Sequence, residues 1–93
     1  MLSEKELRRI ARDECVNMIG KDLVYAHKDL CCDCFGILDD GMFHYNLGID
    51  TKEKPYKFGG ESLMDFYAFV IVNPSTGTVV RDYENSILPN WYL

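Results

Sequence analysis

The sequence predicts an α+β domain, an N-terminal helix packed on an antiparallel sheet of about four strands. Three observations carry this. Residues 66–84, FYAFVIVNPSTGTVVRDYE, set two β-forming runs about a turn built on Pro74 and Gly77. Residues 30–49 set two more runs about Asp39-Asp40-Gly41. Ahead of both, residues 4–19 repeat apolar side chains at the three- and four-residue spacing of a helix. At 93 residues, the chain has room for one domain with one modest core.

The helix has its own start and stop signals. Ser3 and Glu6 stand at capping-box spacing, and Leu2 and Leu7 are placed as a hydrophobic staple. Leu7, Ile10, Ala11, Cys15, Met18 and Ile19 form one apolar stripe, and Gly20 suits the position that ends a helix. Arg8, Arg9, Arg12 and Asp13 then face solvent, and with Lys5 they give the helix a basic, solvated side. Beyond Lys21-Asp22, residues 23–26 read as a short strand or an extended link.

Residues 30–38 and 42–49 form the first hairpin. Asp-Gly is a favoured type I′ pair, so taking Asp40 and Gly41 as the turn sets Leu38 opposite Phe43, Cys34 opposite Leu47 and Cys32 opposite Ile49. Alternation then places Cys32, Cys34, Leu38, Phe43, Tyr45, Leu47 and Ile49 on one face, which meets the helix. The other face carries Cys31, Asp33, Phe35, Ile37, His44 and Asn46. It is only half polar, so the tail or a partner is expected to cover part of it.

Three of the four cysteines, at 15, 31, 32 and 34, fall within four residues. Such a cluster closes no loops, as the disulfides of an extracellular scaffold do, so free thiols in a reducing compartment are expected. His27, Cys31, Cys32, Cys34 and His44 are soft ligands for zinc or copper. Alternation, however, separates Cys31 from Cys32 and Cys34, and a closed tetrahedral site needs convergent ligands. No metal and no cofactor are expected. The cysteines serve as small apolar fillers.

Residues 50–65, DTKEKPYKFGGESLMD, are polar and long for a purely structural connection. They lean toward a functional loop or a broad crossover, with Tyr56 and Phe58 as its aromatic contacts. Residues 66–72 have no polar side chain apart from the Tyr67 hydroxyl, which marks a central strand. Residues 78–83 return from the turn. The face that meets the helix stays open at this point, because a one-residue slip exchanges the two. Trp91, Tyr92 and Leu93 end the chain. They are suited to fold back over the sheet, to complete a dimer or to anchor a partner.

The closing VxNPxTGxVV hairpin, with Val70, Asn73, Pro74, Thr76, Gly77, Val79 and Val80, resembles small cystatin-like domains, most of all the PepSY type. There the last hairpin often runs through an Asp/Asn-Pro-x-Thr-Gly loop. The likeness covers about a third of the chain closely. It implies an inhibitory or regulatory binding module, of a kind often secreted or membrane-linked. The cysteine cluster lies outside that pattern.

A formal charge of −5 argues against a phosphate-backbone binder, which concentrates Lys and Arg. It suits a protein partner with a basic surface, whose encounter such charges speed. No run of eighteen apolar residues is present, and the charged start lacks the apolar core of a secretory signal. The expectation is a cytoplasmic protein without direct nucleic-acid or membrane contact, with a homodimer as one option. The reading is a non-catalytic protein-binding or inhibitory module touching its partner through Tyr56, Phe58, Trp91 and Tyr92, with Asp39 and Asp40 as peripheral charges. The alternatives are a phage or mobile-element inhibitor of a host nucleic-acid enzyme, and a small thiol-dependent enzyme or metal-binding domain. In the enzyme reading, His27 or His44 acts as a base near Cys31 or Asp33.

Overall fold

The computed structural model describes residues 1–26, 30–49 and 66–88, with the side chains of Leu30 and Cys31 excepted. Helix α1 spans Glu4–Ile19 and α2 spans Lys21–Ala26; the strands are β1 (Leu30–Ile37), β2 (Phe43–Ile49), β3 (Phe66–Val72) and β4 (Val79–Arg81). The sheet is an antiparallel meander in the order β1-β2-β3-β4. Helix α1 packs across β2 and β3. This is the predicted α+β architecture, with β3 as an interior strand.

Helix α1 starts where its cap was expected. Ser3 Oγ accepts from the Glu6 backbone N–H at 3.2 Å. The reciprocal half of the box differs, since the Ser3 hydroxyl donates to Glu6 Oε1 at 3.2 Å. Leu7, Ala11, Cys15, Val16, Met18 and Ile19 are buried, with Ile10 and Leu2 packed at the margin. Val16 widens the expected stripe to cover two strands. Gly20 ends the helix, its N–H donating to the Val16 carbonyl at 2.8 Å.

Residues 23–26 are helical and not extended. The Val24 N–H donates to the Gly20 carbonyl at 3.1 Å, which opens α2, and Val24 is buried against the core. One anchoring apolar side chain plus a turn of hydrogen bonds outweighs the β preference of a Leu-Val-Tyr run.

The first hairpin corrects the expected register. Leu38 and Met42 close it, with Leu38 N–H donating to the Met42 carbonyl at 3.0 Å and Gly41 N–H to the Leu38 carbonyl at 2.9 Å. The loop is therefore Asp39-Asp40-Gly41, a three-residue connection with Gly41 at φ 77, and not a two-residue type I′ turn. Cys34 pairs with Tyr45 and Cys32 with Leu47. A shift by two preserves the faces, so Phe43, Tyr45, Leu47 and Ile49 do enter the core. A β-bulge between Cys34 and Gly36, with Gly36 at φ 76, then changes the parity. Beyond it Ile37, and not Leu38, stands opposite Phe43, and Leu38 is 45% exposed.

The second hairpin settles which face of β3 meets the helix. Val72 pairs with Val79, and the Asn73 N–H donates to the Thr78 carbonyl at 2.8 Å. The return strand is shorter than 78–83 and one residue out from a Val72–Thr78 pairing. Ala68, Val70 and Val72 are buried toward α1 together with their β2 partners Leu47, Tyr45 and Phe43. The less bulky face wins because the helix must approach closely: the Cys15 thiol donates to the Ala68 carbonyl at 3.3 Å. Gly77 takes the expected positive φ of 77, and the Leu2 N–H donates to the Pro74 carbonyl at 2.8 Å, tying the turn to the start of the helix.

After β4 the chain loops out over residues 83–85 and rejoins β3, where Tyr67 and Ile87 exchange backbone hydrogen bonds of 3.0 and 2.9 Å. Buried Ser86 fills the gap. Its Oγ accepts from the Phe69 N–H at 2.9 Å and donates to the Asp82 carbonyl at 2.7 Å. Ser86→Ala leaves two backbone groups unpaired at a buried position, so about 1–3 kcal/mol of unfolding free energy is lost. The shift of the urea midpoint at unchanged m-value measures it.

Candidate functional site

The distal end of the β1–β2 hairpin, where a bulge interrupts β1, carries several of the exposed apolar side chains. Alternation from Asp33 puts Phe35 on the outer face, and Phe35 is the extra residue of the bulge, skipped in the register between Cys34 and Gly36. Phe35 and Ile37 are 52% and 51% exposed. Ile37, opposite buried Phe43, lies at the margin of the helix side, so three large apolar side chains (Phe35, Ile37 and Leu38) meet solvent just before the acidic loop, around the hairpin end and not on one face. Gly36 pairs with His44, His44 with Ile71, and Ile71 with Val80. This row crosses all four strands on the outer face and ends on Val80, which is 57% exposed. Single exposed apolar residues are ordinary on a protein surface, but three within four residues of one hairpin end are the pattern of a contact surface.

The acidic loop is ordered by its own hydrogen bonds. Asp40 Oδ1 accepts from the Met42 backbone N–H at 2.9 Å, and Asp40 Oδ2 lies 2.8 Å from His44 Nε2. The Met42 amide first, and His44 second, hold the Asp40 carboxyl below its ordinary value. Asp39 and Asp40 are exposed beside Leu38, so the two predicted peripheral charges rim the apolar cluster.

The sign of the pH effect follows. A carboxylate with a lowered folded-state pKa adds stability above its unfolded value of about 3.9. That stability is lost as the pH falls through the folded value. The loop hydrogen bond at Met42 therefore weakens only in the acid range. In an NMR titration, the Met42 amide shift follows Asp40, and Asp40→Asn removes that step.

Tyr56, Phe58, Trp91 and Tyr92, the predicted aromatic contacts, lie outside the described residues, as does His27. Phe35, Ile37, Leu38 and Val80 take no place among the predicted contacts, although one signal was present. A glycine inside an apolar strand marks a bulge, and Gly36 sits between Phe35 and Ile37. The enzyme pairing of His44 with Asp33 is not formed. Asp33 stands opposite Asn46, whose Oδ1 accepts from the Asp33 N–H at 3.3 Å, while His44 turns to Asp40.

Cys32 and Cys34 are on the helix side of the sheet and His44 on the other. Among the described residues, no three His, Cys, Asp or Glu side chains are grouped to hold a metal ion. Cys15 is wholly buried, and burial pushes its thiol up to about 12. Cys15 is thus the apolar filler expected of the group. Among the described residues, no helix is long and apolar enough to cross a membrane.

Compared with protein-family models, with curated proteins and with solved structures, the chain matches none of them.

Proposed function

We propose that the chain is a non-catalytic protein-binding module that regulates or inhibits its partner by occlusion. The observation that carries this is the run of exposed apolar side chains Phe35, Ile37 and Leu38 at the end of a hairpin, next to the exposed Asp39 and Asp40. An apolar centre with an acidic rim suits a partner with an apolar depression in a basic surround. The centre supplies the affinity, and the charges supply speed and orientation. The net charge of −5 points the same way.

The helix followed by a four-strand antiparallel meander has the element order of the cystatin-like, PepSY-type domains that the closing hairpin resembles, and it supports a binding role of that kind. The free thiols Cys15, Cys32 and Cys34 suit a reducing, cytoplasmic setting. Tyr56, Phe58, Trp91 and Tyr92 extend the proposed contact beyond the described residues.

The test is affinity capture from the native host on immobilised wild type and on Phe35→Ser/Ile37→Ser. Both side chains are half exposed, so the variant keeps its fold. Wild type retains a partner, and the variant retains it at least roughly ten-fold less, the loss expected of a hot spot. Equal retention by both, or retention of nothing by wild type, contradicts the proposal.

A further inference from the structure

The seam between α1 and the edge of the sheet carries a second cluster that the binding face leaves unused. Cys32 and Cys34 sit two residues apart on β1, on the same face, so both thiols turn toward the helix. Cys32 is exposed and Cys34 partly buried. Arg12, one turn after Arg8 on the exposed side of α1, reaches down so that its Nη1 stands 3.8 Å from Cys32 Sγ. Arg8 lies close enough to Cys34 to sense its charge, after its stronger hydrogen bond with Glu4 at 3.0 Å. From the sheet side, Tyr45 hydrogen-bonds to Cys32, and burial keeps its phenol in the neutral form.

Packing explains Cys15, which fills a space under the helix. It does not explain Cys32, whose sulfur is open to solvent and touches a guanidinium. The thiolate is the attacking species in disulfide exchange, and access to solvent lets a disulfide reach it. A guanidinium beside an open thiol also attracts a small disulfide that bears carboxylates.

We propose that Cys32 is a thiolation site for an anionic low-molecular-weight disulfide of the glutathione class, with Arg12 as its carboxylate-attracting group. The Cys32 thiolate attacks one sulfur of the disulfide. The Cys32–S bond forms, the small-molecule S–S bond breaks, and the electron pair leaves on the departing thiolate. That thiolate takes up the proton Cys32 gave to water. The disulfide is the oxidant, and protein and small thiol share the product bond. This rests on the seam alone and stands or falls apart from the hairpin-end contact.

The experiment uses the full chain with oxidised glutathione and, in parallel, the uncharged hydroxyethyl disulfide, read by intact mass and peptide mapping. Wild type gains one glutathionyl group, mapped to Cys32, and Cys32→Ser does not gain it at that rate. Arg12→Gln, at an exposed position that leaves the melting curve unchanged, slows the glutathione reaction roughly three- to ten-fold and the uncharged reaction less, because the charge of the disulfide is what the guanidinium reads. Added salt narrows the gap between the two reagents. First labelling at Cys31 or Cys34 overturns the proposal. So does an Arg12→Gln rate equal to wild type, or an equal slowing with both reagents.

Discussion

Phe43→Ala is expected to cost about 3–5 kcal/mol, the range for truncating a buried phenylalanine. Phe43 is 1% exposed and stands between Ile37 of β1 and Val72 of β3 at the end of the core. Its ring has no route to collapse, because the strands on both sides are fixed by ladder hydrogen bonds. A domain of this size commonly has only about 5–15 kcal/mol in total, and each kcal/mol moves its melting temperature by about 4–8 °C. The variant therefore melts tens of degrees lower or shows no cooperative transition by circular dichroism. Val80→Ala, on the exposed outer row, stays within about 0.5 kcal/mol of wild type. The pair separates residues that hold the sheet together from residues the sheet displays.

Ala68→Leu is expected to cost about 1–3 kcal/mol or more through overpacking. Ala68 is fully buried where α1 comes closest to β3, and the Cys15 thiol bonds to its carbonyl. A larger side chain here forces the helix outward and strips contacts from Tyr45 and Leu47 as well. Cys15→Ala relieves part of the crowding, so the double variant is more stable than the two single losses predict. A coupling of at least about 0.5 kcal/mol in a double-mutant cycle by urea unfolding checks the close approach.

Local chemistry made much of this fold readable. Ser3 and Gly20 bound a helix whose stripe needed only Val16 added, and the apolar run 66–72 declared an interior strand. Misreadings arose where the backbone had two permitted answers. Asp39-Asp40-Gly41 serves a two-residue or a three-residue loop, and the choice depends on the strand twist that Gly36 introduces further along. Residues 23–26 have the composition of a strand and become helical because Val24 finds a place in the core. The proposed contact surface was legible only in part. Asp39 and Asp40 were identified from charge. Phe35 and Ile37 were expected on the outer face, from which the bulge moves Ile37 to the Phe43 side, and Leu38, expected in the core, is turned out. A hydrophobicity pattern shows that a side chain is apolar; the parity of the strand decides which face it joins.

The most direct measurement of the central claim places a photo-activatable cross-linking residue singly at positions 35, 37, 38 and 80, with position 17 on the exposed side of α1 as control. After irradiation in the native host, the account predicts cross-links to one common protein from 35, 37 and 38, fewer from 80 and none from 17. A second copy of this chain as that protein would make the same face a dimer contact. Cross-links from 17 alone, or none from the hairpin end, would contradict the account.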